Sequence, residues 1–244
     1  LIADDPIAKG HYDFLESRKL VDGDEANNIE IGIKAPVADG RVSFTGSLYN
    51  IDWEDMIIAY DYNTNDVVGV TPFTVDIIEN AGGAKSQGLE FEIRAQLADN
   101  WSLNVGGDLN WTAEVTDATA LSGTLAAGRY GGVGISEGNR LANAPKNSAY
   151  ASLTYDFSAR SFEAQARLDA YHVAESWNTA NNERPAPSYQ TVDGRVTFYK
   201  ENWKIGAYIR NIADEIIVYE FNQVGFRYGR PRTVGMEDTY TPGG

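Results

Sequence analysis

The sequence predicts an all-β fold: a transmembrane, up-and-down antiparallel β-barrel segment of about 9–10 strands, with short turns at one end and long loops at the other. Three observations predict it. Apolar and polar residues alternate with period two in run after run, which gives each strand one greasy and one wet face. Tight turns alternate with long connections, an asymmetry a soluble sandwich does not need. No window of about 18 apolar residues occurs, so the sequence offers no transmembrane helix.

Taken in order, residues 1–27 read as a loop or partial strand entering the barrel, 28–240 as the barrel segment and 241–244 as a C-terminal tail. The first hairpin joins 28–36 to 41–53 through VADGR, where Asp-Gly supplies the turn. The stretch 54–85 is long, although DMIIAYDY and PFTVDIIEN look like strands continuing upward. The second hairpin, 86–97 with 101–113, is the clearest. Leu89, Phe91, Ile93, Ala95 and Leu97 alternate with Glu90, Glu92, Arg94 and Gln96, and the pattern restarts at Trp101. The third hairpin joins 148–157 to 161–172 through FSARS, the fourth 189–199 to 203–211 through KENW, and a final run spans 232–240. Connections at 113–147, 173–188 and 212–231 are rich in Gly, Asn and Pro and form the long-loop end.

Composition removes several classes. A net charge of −15 argues against nucleic acid as a partner and against a polybasic membrane anchor. The absence of cysteine removes disulfides and thiolate metal sites. The mean hydropathy of −0.36 suits a soluble protein and a membrane barrel equally, because half of each barrel strand faces a polar lumen. The chain starts at Leu1 with neither methionine nor signal peptide, so it is read as part of a longer protein.

Trp101, Tyr155, Phe157, Phe198, Tyr199 and Trp203 gather near the tight turns, as an interfacial girdle would. Glu90, Glu92, Arg94, Glu163, Arg167 and Asp169 fall on the opposite face of separate strands, which implies a wide, wet lumen. Catalytic and metal-binding patterns fail on their context. GISEG (134–138) has the spacing of a nucleophile elbow, but it lies in a glycine-rich loop with no helix after it. DYNTND (61–66) opens like a calcium loop, but Asp66 stands where glycine is needed and Pro72 where the bidentate glutamate is needed. His11 and His172 are too few and too distant for zinc. No catalytic residue, metal ligand or cofactor is expected.

The run NAGGAKSQGLEFEIRAQL (80–97) resembles the Asn-Ala-Gly…Gly-x-Glu-x-Glu segment of TonB-dependent outer-membrane receptors. NNIEIGIKA (27–35) is similar to that family's Tyr-Glu-x-Gly-x-Lys strand, with Ile29 in place of tyrosine. IRNIADE (209–215) and YGRPRTVGM (228–236) resemble its Arg-Asn-Leu-x-Asp-Glu run and its final strand. The four motifs stand in family order, and the resemblance runs from about residue 12 to 236. The resemblance implies a 22-stranded barrel in the bacterial outer membrane, holding a plug domain and importing a scarce siderophore, vitamin or carbohydrate. It implies as partners outer-membrane lipid and lipopolysaccharide, the remaining strands and plug, a TonB-type energy-coupling protein acting through an N-terminal part, and a small-molecule ligand. One departure is the ending MEDTYTPGG (236–244), where the family finishes on an aromatic residue. Adjacent Glu237 and Asp238 and a following proline are expected to interrupt the strand.

Ligand residues belong on the loops and upper lumen wall, where a rigid scaffold carries variable side chains. The candidates are Arg129, Tyr130, Trp177, Arg184, Tyr219, Phe226 and Arg227. Aromatic faces stack on rings and arginines pair with anionic groups. Asn80, Gly82, Gly88, Asn211 and Pro231 are read as fold-making residues. The alternative is an autonomous small barrel acting as a passive pore or enzyme. It needs an even, closed set of strands within this sequence, and a catalytic group for the second of those roles.

Overall fold

The computed structural model describes residues 6–17, 20–63, 74–80, 82–118, 135–222 and 225–241. Pro6–Glu16 forms a helix, α1, where the sequence suggested a loop or partial strand. Proline at the first helical position is preorganised there, and Lys9 pairs with Asp13 one turn on at 2.7 Å. The strands follow as β1 (Glu25–Val37), β2 (Val42–Glu54), β3 (Ile57–Asn63), β4 (Thr74–Asn80), β5 (Gly83–Ala98), β6 (Trp101–Asp117), β7 (Asn147–Ala159) and β8 (Phe162–Val173). Then come β9 (Ser176–Trp177), β10 (Pro185–Ala186), β11 (Tyr189–Lys200), β12 (Trp203–Arg210), β13 (Val218–Asn222), β14 (Gly225–Tyr228) and β15 (Thr233–Tyr240).

Nine strands make one antiparallel sheet in the order β1-β2-β5-β6-β7-β8-β11-β12-β15. Three two-stranded ribbons, β3–β4, β9–β10 and β13–β14, rise from its long-loop end. The first continues the upward strands expected in 54–85; the other two lie inside stretches that read only as loops.

The register shows why the alternation matters. One row runs Phe44, Ile93, Val105, Ala151, Ala170, Val192 across six strands. The row one residue away runs Arg94, Asn104, Ser152, Asp169, Asp193 across five. Paired residues share a face, so a one-residue slip on any strand would bring charge onto the apolar side. That apolar side is bare: Ile29, Ile31, Leu48, Leu168, Val234 and Met236 are all exposed. A wall with a polar lumen on one side and lipid on the other needs no core of its own.

The aromatic girdle forms near the tight turns. Trp101 stacks on Tyr155 at 4.4 Å and Tyr155 on Phe157 at 5.4 Å, while Trp203 meets Tyr240 at 4.9 Å. Tyr199 departs from the expected set. It pairs with Glu163 and Lys204, which puts it on the lumen face. The acids near the end do not break the last strand either. β15 runs through both: Glu237 faces the lumen and binds Arg195 at 2.8 Å, while Asp238 pairs with Ile205 on the outer face, near the tight-turn end.

Lumen side chains lie flat by crossing glycines. Tyr150 on β7 passes over Gly106 of β6 to donate to Glu92 of β5 at 3.1 Å. A Cβ at Gly106 would sit 2.7 Å from the Tyr150 ring. Tyr208 lies over Gly235 in the same way. Arg94–Glu92 and Arg167–Asp169 complete an ion-paired, hydrated surface. Solvent screens such exposed pairs, so they orient the wall more than they stabilise it.

Candidate functional site

Above the sheet, the ends of β5 and β6 extend far enough to build the one apolar core among the described residues. Met56, Ala84, Val115, Ala118 and Ile135 are buried there, with Trp53, Leu141 and Ala180 against them. The Met56 amide donates to the Gly82 carbonyl at 2.7 Å, and Asn80 Nδ2 to the Asp55 carbonyl at 2.8 Å. The first ribbon is thereby fastened to the rim. Segment 135–141 adds to the same core by pairing with β6, through Val115 to Asn139 and Leu141 to Ala113, both at 2.8 Å.

Arg140 and Asn182 join two loops. The Arg140 amide donates to Asn182 Oδ1 and its carbonyl accepts from Asn182 Nδ2, both at 2.7 Å. The Arg140 guanidinium donates to the carbonyls of Ala144 (2.6 Å), Asn110 (2.8 Å) and Pro145 (3.0 Å). Burial lowers its pKa from the usual arginine value, yet a guanidinium keeps its charge in any protein. Three carbonyl oxygens therefore replace its water. Asn143 and Asn182 both take left-handed backbone angles, which asparagine tolerates better than most residues.

Asn178 extends the assembly to the third loop. Its amide donates to the Arg184 carbonyl at 2.7 Å and its Nδ2 to the Tyr219 carbonyl at 3.2 Å. The Asn143 amide donates to the Trp177 carbonyl at 2.7 Å. Segments 135–146, 174–188 and 211–222 thus form one connected surface.

Three of the seven residues expected to meet ligand, Trp177, Arg184 and Tyr219, fall on this assembly, and Phe226 and Arg227 lie on the strand paired with Tyr219's. Trp177 on β9 is half-buried and pairs with Pro185 of β10, next to the half-buried Arg184. Tyr219 on β13 is exposed and meets Tyr189 edge-on at 5.8 Å. Asn178 brings these three together. Phe226 and Arg227 are exposed on β14, the other strand of Tyr219's ribbon, with Phe226 6.0 Å from Tyr228. Arg129 and Tyr130 lie outside the described residues, as do the second half of DYNTND, whose first half ends β3, and the whole GRYGGVG run.

Sequence reading missed Arg140, Asn178, Asn182 and Tyr189. The clustering of asparagine in LANAPKN and NTANNE was the available signal, since asparagine is the side chain that best substitutes for backbone in irregular loops. Residues 136–139, overlapping the GISEG stretch, form a turn. The Ser136 amide donates to Asn139 Oδ1 and its carbonyl accepts from the Asn139 amide, with no helix following. Among the described residues no group of His, Asp and Glu side chains is placed to share a metal ion.

The cross-link gives a testable expectation. Arg140→Met leaves three carbonyls without their donor and is expected to cost the loop assembly about 2 kcal/mol. Amide exchange in 135–146 and 174–188 should rise about 30-fold, with β7 and β8 unchanged. Hydrogen-exchange mass spectrometry reads both, and equal acceleration in the strands would count against a local role.

The comparisons with known proteins agree with this architecture. A family model described as TonB dependent receptor-like, beta-barrel, matches residues 23–212. Among curated proteins the chain is similar to the metal-pseudopaline receptor CntO of Pseudomonas aeruginosa, 26% identical over 226 residues. That alignment covers 91% of this chain and 28% of that receptor. Among solved structures it is similar to the siderophore receptor PiuA from Acinetobacter baumannii, with a TM-score of 0.68 at 19% identity over 91% of this chain and 29% of that one. The ferric yersiniabactin uptake receptor FyuA from Yersinia pestis gives a TM-score of 0.66 at 20% identity over 88% and 29%. The chain therefore spans less than a third of the length of each. These relatives are receptors rather than enzymes, and the structural likeness is one of fold. With the matched model covering most of its length, the chain belongs to the TonB-dependent receptor β-barrel family of the Gram-negative outer membrane.

Proposed function

We propose that this chain is the wall and loop part of an active-transport receptor that captures a metal chelated by a small organic ligand and passes it inward with TonB-supplied energy. The observation that carries the reading is the single loop surface in which Asn178 joins Trp177, Arg184 and Tyr219 directly above a polar, ion-paired lumen wall. Aromatic faces and an arginine on a rigid support suit a planar, partly anionic chelate. The names of the relatives support the same class: one is a receptor for metal-pseudopaline, others for siderophores. The edges at β1 and β15 support a larger barrel, because unpaired backbone in hydrocarbon costs several kcal/mol per group. The missing neighbours are then the remaining strands of a 22-stranded barrel, with a plug inside it, and the energy-coupling protein acts on that other part.

Two measurements test this. The denatured mass of the native, detergent-extracted protein should far exceed 26.7 kDa; a mass of 26.7 kDa with no companion chain would leave the sheet edges unclosed and end the receptor reading. A Trp177→Ala, Tyr219→Ala double variant should bind a ferric siderophore about 30-fold more weakly, a loss of about 2 kcal/mol typical of central aromatic contacts. Unchanged binding across a siderophore panel would move the site elsewhere.

A further inference from the structure

We infer that the lipid-facing wall between β7 and β15 carries a docking groove for one inner-leaflet phospholipid, held by its acyl chain and its anionic phosphate. The inference rests on the membrane reading above and adds a ligand to a face that reading treats as bulk contact. The groove has a volume of about 580 Å³ and its exposed lining is mostly apolar, while Arg167, Arg195 and Tyr208 border it from strand positions whose register belongs to the lumen face. Its floor is Ala166, Gly194, Val196 and Ala207, a patch of mostly small residues brought together by cross-strand register. Tyr155 and Leu168 stand on one side, Ile209 and Val234 on the other. All belong to the face whose alternation is apolar from strand to strand. The depression therefore opens to hydrocarbon and not to the lumen.

Depth and charge select the occupant. On β11 the outward column is Gly194, Val196, Phe198 and Lys200. From Gly194 to Lys200 the strand advances roughly 20 Å at about 3.3 Å per residue. A strand tilt of about 40° turns that into roughly 15 Å of depth, half of a hydrocarbon core about 30 Å thick. The Gly194 end of the groove thus lies near the membrane centre, its Tyr155 and Trp101 end reaches the aromatic girdle, and Lys200 lies at headgroup depth on the tight-turn side. Lys200 Nζ sits 5.1 Å from the centroid of the Phe162 ring, and Phe162 meets Phe198 edge-on at 6.3 Å. An ammonium held on an aromatic shelf at the interface is placed to meet a phosphate. The neighbouring β7–β8 turn adds the exposed Arg160, while Glu201 follows Lys200 in its own turn. An acyl chain running from that shelf to Gly194 would fill the depression. The tight-turn side assigns the lipid to the inner leaflet.

The test uses the full receptor, extracted in mild detergent and titrated with phosphatidylglycerol under native mass spectrometry. One phosphatidylglycerol per receptor should survive extraction. Ala207→Phe fills the floor with an apolar ring that a lipid-facing position accepts, and should lower retention at least tenfold. Lys200→Gln should lower it about fivefold, the equivalent of one cation near an anionic surface. Full retention in both variants overturns the groove, as does a receptor dimer seated on this face in place of lipid. Equal retention of phosphatidylethanolamine, insensitive to Lys200→Gln, overturns the phosphate contact. Migration of unheated samples on gels shows that each variant keeps its barrel. If the wild type itself shows no heat-dependent shift, the membrane reading fails and not the groove alone.

Discussion

Among the described glycines, Gly82→Ala is expected to give the largest loss of stability of any single added methyl. Gly82 has φ +133, a backbone conformation that L side chains rarely adopt. A Cβ there would collide with the carbonyl of Asp117 and lie 2.6 Å from its carbonyl carbon. Neither is the movable end of a side chain, so β5 and β6 must separate at their outer ends. The Met56 amide would then lose its 2.7 Å bond to the Gly82 carbonyl, and the Met56, Ala84 and Val115 cluster would open. Backbone strain alone costs about 1–3 kcal/mol; with the lost bond we expect about 3 kcal/mol or more. The temperature at which the folded band disappears on gels should fall clearly for Gly82→Ala. Gly10→Ala, which meets nothing within 4 Å, should leave it unchanged. Equal behaviour of the two would show that the strand ends separate without cost.

Asn211→Ala should produce the second largest effect, confined to the loop that follows β12. Asn211 is 4% exposed and takes φ +50. Its Nδ2 donates to the carbonyls of Glu215 (2.9 Å) and Arg230 (3.2 Å), and its Oδ1 accepts from the Glu215 amide at 2.9 Å. Its own amide donates to Asp193 Oδ1 at 2.8 Å, which ties the corner to the lumen wall. The side chain thus holds both ends of the 211–232 excursion, the one carrying Tyr219, Phe226 and Arg227. Removing it strands three polar backbone groups and places alanine in a left-handed conformation, at about 3 kcal/mol in total. The expected result is rapid proteolysis within 211–232, with the nine-stranded sheet intact. Asn211→Asp keeps the acceptor but loses both donors and should fall between. A protease-resistant Asn211→Ala loop would mean that the β13–β14 ribbon holds itself.

The wall was legible because its signal is local. Period-two alternation in β5, β6 and β8 states which residues share a face, and that is a property of the pleat, independent of what lies beyond it. The girdle was readable for the same reason, except at Tyr199, where proximity to a turn was weighed and the parity of the position was not. The last strand was misjudged at Glu237. A charge looks like a strand breaker only when its ion-pair partner, here Arg195 two strands and forty-two positions away, is out of sight. The helix at Pro6–Glu16 was hidden because a short run with one i,i+4 pair gives little periodicity.

The loop surface was only half legible. Trp177, Tyr219 and the arginines stood out by residue type, yet their grouping depends on Asn178, Asn182 and Arg140. Those side chains bond to main-chain atoms of other loops, and such contacts leave no periodic trace. By itself the sequence determined the nine strands of the sheet, the facing of nearly all their residues, the polarity of lumen and lipid surface, and the end that bears the loops. Each follows from residue parity and turn chemistry within a few positions. Tertiary structure alone decided which loops join, which tyrosines lie flat across glycines and where the outer wall is hollow. These depend on register between strands and on hydrogen bonds that close over dozens of residues.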